Sequence, residues 1–583
     1  MKHLIKILPN NKKDIIKLLV PAIFIVLFLF RVFELDRDLP NFGIGLYQAK
    51  DEGHYSEMSL LYNKYGSFTG PSEYPIDINS YFRTNIIGNA LQIVSLKLLG
   101  NNYYGFRIVY TVFSLLTVLL LCGILNRLAE YYGVSDKFKN RIKIILLAFL
   151  LVFFPFLLMG RVVENTGLRT FSTCLFIYLC CKKGISNKVK YFCLTFCGVI
   201  SWALIYFSNI HLLIACAVLF LSILFSGWNR ENRLKLLYMI GGGIVGLILA
   251  EIYYFTVWGS GLFHNFFDSI SSFSTRVVIT GDEGGILRKI FHGFLTFVGS
   301  NMFLYFISLV VLAVMSILLN IYIYKKERNE ANLCNITIVC AVFLQSLFVN
   351  DWNERKVIVI LPSILISILI SIFWIKKNGF SPKSMKLRYK LIVLILAVGA
   401  GGFAFVAGYK YRGLQKHLVD FQRIDLEIIK LSGIIQVLLA SILSVTIFFK
   451  TISLRVQKSI LVILGIVVFS TNIFFDVKYV YLYDKYTEKQ VMIDIGKDLG
   501  DAYVLGPYVY GYCLYNDIKP LGLYPEHAKN DDVNYFLDYK NGPYYAHYSG
   551  LEKTFLLEKK YYRGLKAIGK YYPIGIFKKT EAN

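Results

Sequence analysis

An all-α polytopic membrane bundle of about thirteen spanning helices, N-terminus in the cytoplasm and C-terminus outside, is the fold class this sequence predicts. Three observations predict it. The chain is 56% hydrophobic with a mean hydropathy of +0.53, too apolar for a soluble protein of two-layer domains. Its apolar residues gather in runs of roughly twenty, the length that crosses a hydrocarbon core. Its net charge of +25 falls in short clusters between those runs, as the positive-inside bias requires of cytoplasmic loops. That distribution argues against a nucleic-acid partner, which would ask for one contiguous basic surface.

The first run, 15 to 35, follows Lys2, Lys6, Lys12 and Lys13; it is long enough to span, and no small-residue cleavage site follows, so it reads as an uncleaved helix. Further spans are expected near 105–126, 142–160, 164–181, 191–208, 210–227, 236–257, 296–324, 332–349, 357–375, 390–409, 428–449 and 458–475. Alternate loops are basic, for example Lys182, Lys183, Lys188 and Lys190, which assigns them to the cytoplasm. The intervening loops, among them the long first one at 36–104, then lie outside with the tail 476–583. Within the first outer loop, Asp51 to Tyr65 and Asn85 to Leu99 have helical spacing suited to the membrane interface. The tail alternates short apolar runs (Ala502–Leu505, Tyr535–Leu537, Ile574–Phe577) with turns and a helical stretch around Leu551 to Leu565, the pattern of a small α/β domain. The chain thus divides into a transmembrane domain, 1–475, and a C-terminal domain, 476–583. Nine of the ten cysteines lie in or beside apolar runs, with Cys513 alone in the tail, and no disulfide framework or metal spacing emerges.

Adjacent carboxylates, Asp51 and Glu52, follow the first span in Asp-Glu-Gly-His-Tyr. One could serve as a base toward a hydroxyl or stabilise charge on a sugar ring; the alternative is helix capping and first-turn electrostatics. Neighbours on a helix point about 100° apart, so both cannot address one atom, and Asp51 is favoured. Arg161 and Glu164 occupy a very short outer turn, where a charge so near lipid needs a cavity or a partner. Arg161 could hold a phosphate with Glu164 orienting it, or the two could form an interfacial pair. Arg83, Arg107, Arg276, Arg288, Arg355 and Lys356 are further cations near span ends on the same side. Asp282 and Glu283 sit in a glycine-flanked loop that is either a lid or a plain connection, with His264 and His292 on either side of it. Two histidines without a third ligand make no zinc site. Tyr503, Tyr508, Tyr510, Tyr512, Tyr515, Tyr544 and Tyr545 could stack on sugars, but core packing accounts for them more economically. No glycine-rich phosphate loop is present, and no cytoplasmic segment is long enough for a nucleotide-binding domain.

These residues resemble the GT-C superfamily of integral-membrane glycosyltransferases, in particular its aminoarabinose-transferase and protein O-mannosyltransferase branch. The acidic pair Asp51-Glu52 stands where that family has one; Leu98-Leu99-Gly100 before Tyr104-Gly105-Phe106-Arg107 is similar to its entry to the second span; Arg355 to Pro362 is similar to its entry to a late helix. The family's Lys-Pro-Pro element is replaced by Arg83-Thr84-Asn85. What the resemblance implies is an inverting transfer of a sugar from a polyprenyl phosphate to an envelope lipid, glycan or protein at the outer face of the plasma membrane. Asp51, with Glu52, would be the base or charge stabiliser; Arg83, Arg161, Arg355 and Lys356 would grip the donor phosphate; Glu164 would be a second acidic group, and Asp282, Glu283 and His264 a substrate loop. No metal ligand is assigned, and a divalent metal requirement stays open. A transporter or flippase, or an envelope glycan polymerase or ligase, is the competing reading. The first would show internal repeats and the second a large late outer loop, whereas here the first outer loop is the longest.

Overall fold

The computed structural model describes residues 12–37, 52–53, 55–68, 70–74, 86–163, 165–182, 186–205, 207–268, 286–348, 357–379, 386–411, 423–449, 453–482, 487–506, 509–522, 525–539, 555–563 and 572–579. In chain order its helices are α1 (Lys12–Val32), α2 (Glu57–Tyr65), α3 (Ile86–Leu99), α4 (Tyr103–Tyr131), α5 (Asp136–Val152), α6 (Phe154–Met159), α7 (Asn165–Cys181), α8 (Asn187–Leu204), α9 (Ile210–Phe225) and α10 (Arg230–Trp258). They continue as α11 (Ile286–Val298), α12 (Asn301–Leu304), α13 (Ile307–Lys326), α14 (Glu330–Phe348), α15 (Leu361–Asn378), α16 (Leu387–Val406), α17 (Arg423–Phe449) and α18 (Leu454–Asp476). Every apolar run expected to span contains helix. Eight of the described helices are long and apolar enough, by length and composition, to cross a membrane. The remaining runs give helices that are shorter or less apolar.

Two runs expected as single spans are broken. At 142–160, α5 stops at Phe153, whose ψ of 97° leaves the helical region, and α6 restarts with Pro155 in its first turn, where a missing N–H is tolerated. At 296–324 the chain breaks after Gly299, where a methyl group would stand 3.0 Å from the Ala407 carbonyl carbon, and again around Tyr305. Both breaks free backbone groups that lipid cannot satisfy. Asn472 on α18 answers both: its Oδ1 accepts from Phe154 N–H at 3.1 Å and its Nδ2 donates to the Tyr305 carbonyl at 3.1 Å. Elsewhere, buried amides tie α13, α14 and α15. Asn320 donates to the Ser367 carbonyl at 3.1 Å, and Asn335 donates to Ser367 Oγ at 2.8 Å. In an apolar solvent such side-chain bonds supply association that hydrophobic burial cannot.

The first loop folds back on the bundle. α3 lies between α2 and the start of α4: Asn89 Oδ1 accepts from Ser59 N–H at 3.2 Å, and Gln92 Nε2 donates to the Phe106 carbonyl at 2.6 Å. Met58, Leu60 and Leu61 of α2, within the stretch expected at the membrane interface, are buried in a core shared with residues of α3, α4 and the C-terminal domain.

That domain comprises α19 (Thr487–Leu499), β1 (Tyr503–Leu505), the short helix α20 (Val509–Tyr512), β2 (Lys519–Gly522), β3 (Tyr535–Tyr539), β4 (Phe555–Arg563) and β5 (Tyr572–Lys579). Its sheet has the order β2-β1-β3-β5-β4, with β1 parallel to β2 and β3, and β5 antiparallel to β3 and β4. The helix expected around Leu551–Leu565 is strand β4. Its Leu-Leu-Glu-Lys-Lys core reads as a helix face in isolation, but pairing along β5 decides the conformation.

Candidate active site

The carboxylate of Glu52 and the guanidinium of Arg107 form a fork-to-fork pair with no solvent exposure on either side chain. Arg107 Nε donates to Oε1 at 3.0 Å and Nη2 to Oε2 at 2.7 Å. A charge pair removed from water costs more than it returns unless its remaining hydrogen-bonding capacity is met. Here it is met by backbone. Arg107 Nη1 donates to the carbonyls of Leu35 and Arg37, both at 2.8 Å, and Glu52 Oε1 accepts from Val163 N–H at 3.0 Å. The Tyr103 ring lies 3.9 Å from the guanidinium carbon and adds cation–π attraction. One ion pair therefore fixes four pieces of chain: the exit from α1, the acidic segment, the first turn of α4 and the turn between α6 and α7.

Arg161 is buried in the same turn as Val163. Its Nη1 and Nη2 donate to the carbonyls of Phe30 and Glu34 at 3.3 and 2.6 Å, where α1 ends and Glu34 turns left-handed with φ of 45°. Carbonyls at a helix C-terminus lack intrahelical partners and attract a cation. The side chain read from sequence as a phosphate ligand is thus committed to capping the first helix. One turn earlier, fully buried Arg31 donates to Ser114 Oγ and to the Leu150 carbonyl, each at 3.3 Å, joining α1 to α4 and α5.

The C-terminal domain closes over this region. Tyr510 lies beside the carboxyl of Glu57, a buried acid on α2. Burial holds that carboxyl well above the ordinary carboxylate range, with Tyr510 pulling the other way. Burial also pushes the Cys513 thiol up to about 11, so it is no nucleophile at neutral pH.

Of the residues singled out from sequence, Glu52 and Arg161 come together around the end of α1. Asp51, Arg83, Glu164, Asp282, Glu283, Arg355 and Lys356 lie outside the described residues. His264 does not join the cluster as described: its side chain is 69% exposed and pairs with Asp268 one turn away at 3.2 Å. Among the described residues no group of His, Cys, Asp and Glu side chains has the geometry to hold a metal. Arg107 was read as one of several cations near span ends and as the arginine leading the second span, with no partner assigned. The signal that marks it is its position inside an apolar run, where a charge must have a partner.

Helical bundle, folded-back first loop and C-terminal sheet together share the fold of a solved membrane protein, ArnT from Cupriavidus metallidurans. The chain is similar over 97% of its length to 98% of ArnT from Cupriavidus metallidurans in the apo state, with a TM-score of 0.52 and 11% identity. It is similar with the same coverage to ArnT from Cupriavidus metallidurans bound to undecaprenyl phosphate, with a TM-score of 0.54 and 12% identity. No family model matches the chain, and no curated protein matches it in sequence.

Proposed function

We propose that the protein is a glycosyltransferase of the plasma membrane that moves a sugar from a polyprenyl-phosphate donor to an envelope lipid, glycan or protein on the extracytoplasmic side. The observation that carries the reading is the buried Glu52–Arg107 pair, which immobilises the backbone beside Asp51 at the junction of three bundle elements. A catalytic carboxylate must be held within a fraction of an ångström of its reacting partner, and rigid neighbours are what hold it. Glu52 is engaged in that support, so the chemistry falls to Asp51. Asp51 removes the proton of an acceptor hydroxyl as its oxygen attacks the anomeric carbon. The bond from that carbon to the donor phosphate oxygen breaks, and the electron pair leaves with the phosphate, inverting the configuration. Arg83, Arg355 and Lys356 neutralise the leaving phosphate, and Glu164 is a second acidic group. Thirteen crossings with basic loops inside put this chemistry and the C-terminal domain outside.

The fold of an undecaprenyl phosphate-binding transferase supports a donor of that lipid class. Native mass spectrometry of the full chain in detergent, with undecaprenyl phosphate and undecaprenol in competition, tests it. Binding selective for the phosphate by at least about tenfold is expected; equal retention of both lipids would contradict a site built to grip the phosphate.

A further inference from the structure

The stretch from Val509 to Asn516 in the C-terminal domain packs on the residues that flank the Glu52–Arg107 pair, Gly53 beside the carboxylate and Tyr103 beside the guanidinium. On the carboxylate side, α20 lies against the backbone at Gly53. A methyl group there would stand 2.7 Å from Gly511 Cα and 2.8 Å from the Tyr510 carbonyl carbon, so the backbone of α20 approaches this closely only because residue 53 is a glycine. Tyr510 itself lies beside Glu57 one turn further along, and Lys64 donates to the Asn516 carbonyl near the end of α2. On the guanidinium side, Tyr515 Oη accepts from Tyr103 N–H at 3.0 Å, and Tyr515 N–H donates to the Asn101 carbonyl at 3.0 Å. Asn101 Nδ2 donates to the Cys513 carbonyl at 3.0 Å. Tyr103 is the ring on which Arg107 rests.

We propose that Val509–Asn516 is a positioning clamp: by pressing on Gly53 and holding Tyr103, this stretch sets the geometry of the Glu52–Arg107 pair and so of the backbone from which Asp51 acts. Gly511 and Tyr515 are its two positioning residues. The chemistry of the contacts supports an ordering role. They are backbone-to-backbone packing and short hydrogen bonds to main chain, which fix conformation and offer nothing to a substrate. The two arms also reach one ion pair through elements that are far apart in sequence, so tightening either arm restrains the same charges.

The assignment of Asp51 as base rests on the proposed transferase activity, whereas the clamp is readable without it. Amide hydrogen exchange on the full chain in nanodiscs follows Ser56 N–H, which bonds the Gly53 carbonyl at 3.1 Å. In Gly511→Val this amide is expected to exchange at least about tenfold faster while amides of β3 keep their wild-type rates. Should Gly511→Val loosen the sheet, Tyr515→Phe deletes only the acceptor for Tyr103 N–H, and the Tyr103 amide is then the one expected to speed up. Unchanged exchange at these amides with an intact sheet overturns the clamp, whatever the activity. With a polyprenyl-phosphate sugar as donor, either variant is expected to lose kcat at unchanged KM and unchanged undecaprenyl phosphate binding. A wild-type kcat in a variant with fast Ser56 or Tyr103 exchange also overturns it. A wild-type chain that transfers no sugar would instead count against the proposed function alone, with the exchange result still deciding the clamp.

Discussion

Burial keeps the Glu57 carboxyl well above its ordinary value of 4.5, so in the folded chain it is the protonated acid that meets Tyr510. A group with a raised folded pKa contributes stability that is fully present below its unfolded value and is lost as pH rises through the folded one. Glu57→Gln keeps the size of the side chain and cannot ionise. Its Tm relative to wild type is therefore expected to improve from about pH 5 to about pH 8 in parallel thermal scans; a gap that does not move with pH contradicts the assignment. Glu52 is instead the buried bidentate partner of Arg107. Glu52→Gln leaves that guanidinium buried without its counter-charge and should cost about 3–5 kcal/mol by chemical unfolding. Adding Arg107→Met should recover part of the loss, and strict additivity of the two changes would argue against a coupled pair. The sequence made the acids at 51 and 52 conspicuous but could not divide their roles. The partner that claims Glu52 lies 55 positions away, and nothing local points to it. The same distance hid the use of Arg161 on α1.

At the scale of elements, the apolar runs were legible because lipid imposes a length and a composition on any helix that crosses it. Their interruptions were less so. Pro155 marks a break, yet whether a break is tolerated depends on a donor and acceptor supplied from elsewhere, here Asn472 on the last span. Asn472→Leu removes both partners and should destabilise the bundle by about 1–3 kcal/mol for each backbone group left unpaired, read from unfolding in detergent. A loss below about 0.5 kcal/mol would show that neither bond matters to the break. Strand β4 illustrates the converse failure. Phe555–Arg563 carries leucines and charges at spacings a helix also favours, and only the neighbouring strand β5 selects extended backbone. The tyrosines of the tail were read as core. Tyr510 and Tyr515 are packed, as expected, but against the first loop, where their hydroxyls reach Glu57 and Tyr103.

On the scale of the whole molecule, the first loop and the C-terminal domain share one apolar core, with Met58, Leu60 and Leu61 packed among Val504, Val509 and Leu514. Loop and tail therefore lie on the same face of the bundle, which is what an even number of crossings between them, the twelve that the sequence predicts, requires. A reporter active only outside the cytoplasm, fused at Asn583, is expected to give signal, and a cytoplasmic reporter at the same position is not. The central claim is that this face carries a lipid-phosphate-dependent sugar transfer in which Asp51 is the base. Full-length protein reconstituted with undecaprenyl-phosphate-linked sugar and envelope acceptors tests it by release of undecaprenyl phosphate. Wild type is expected to release the lipid phosphate, and Asp51→Asn, folded to the same Tm, to do so at least about 100-fold more slowly. Release by Asp51→Asn at the wild-type rate would contradict it.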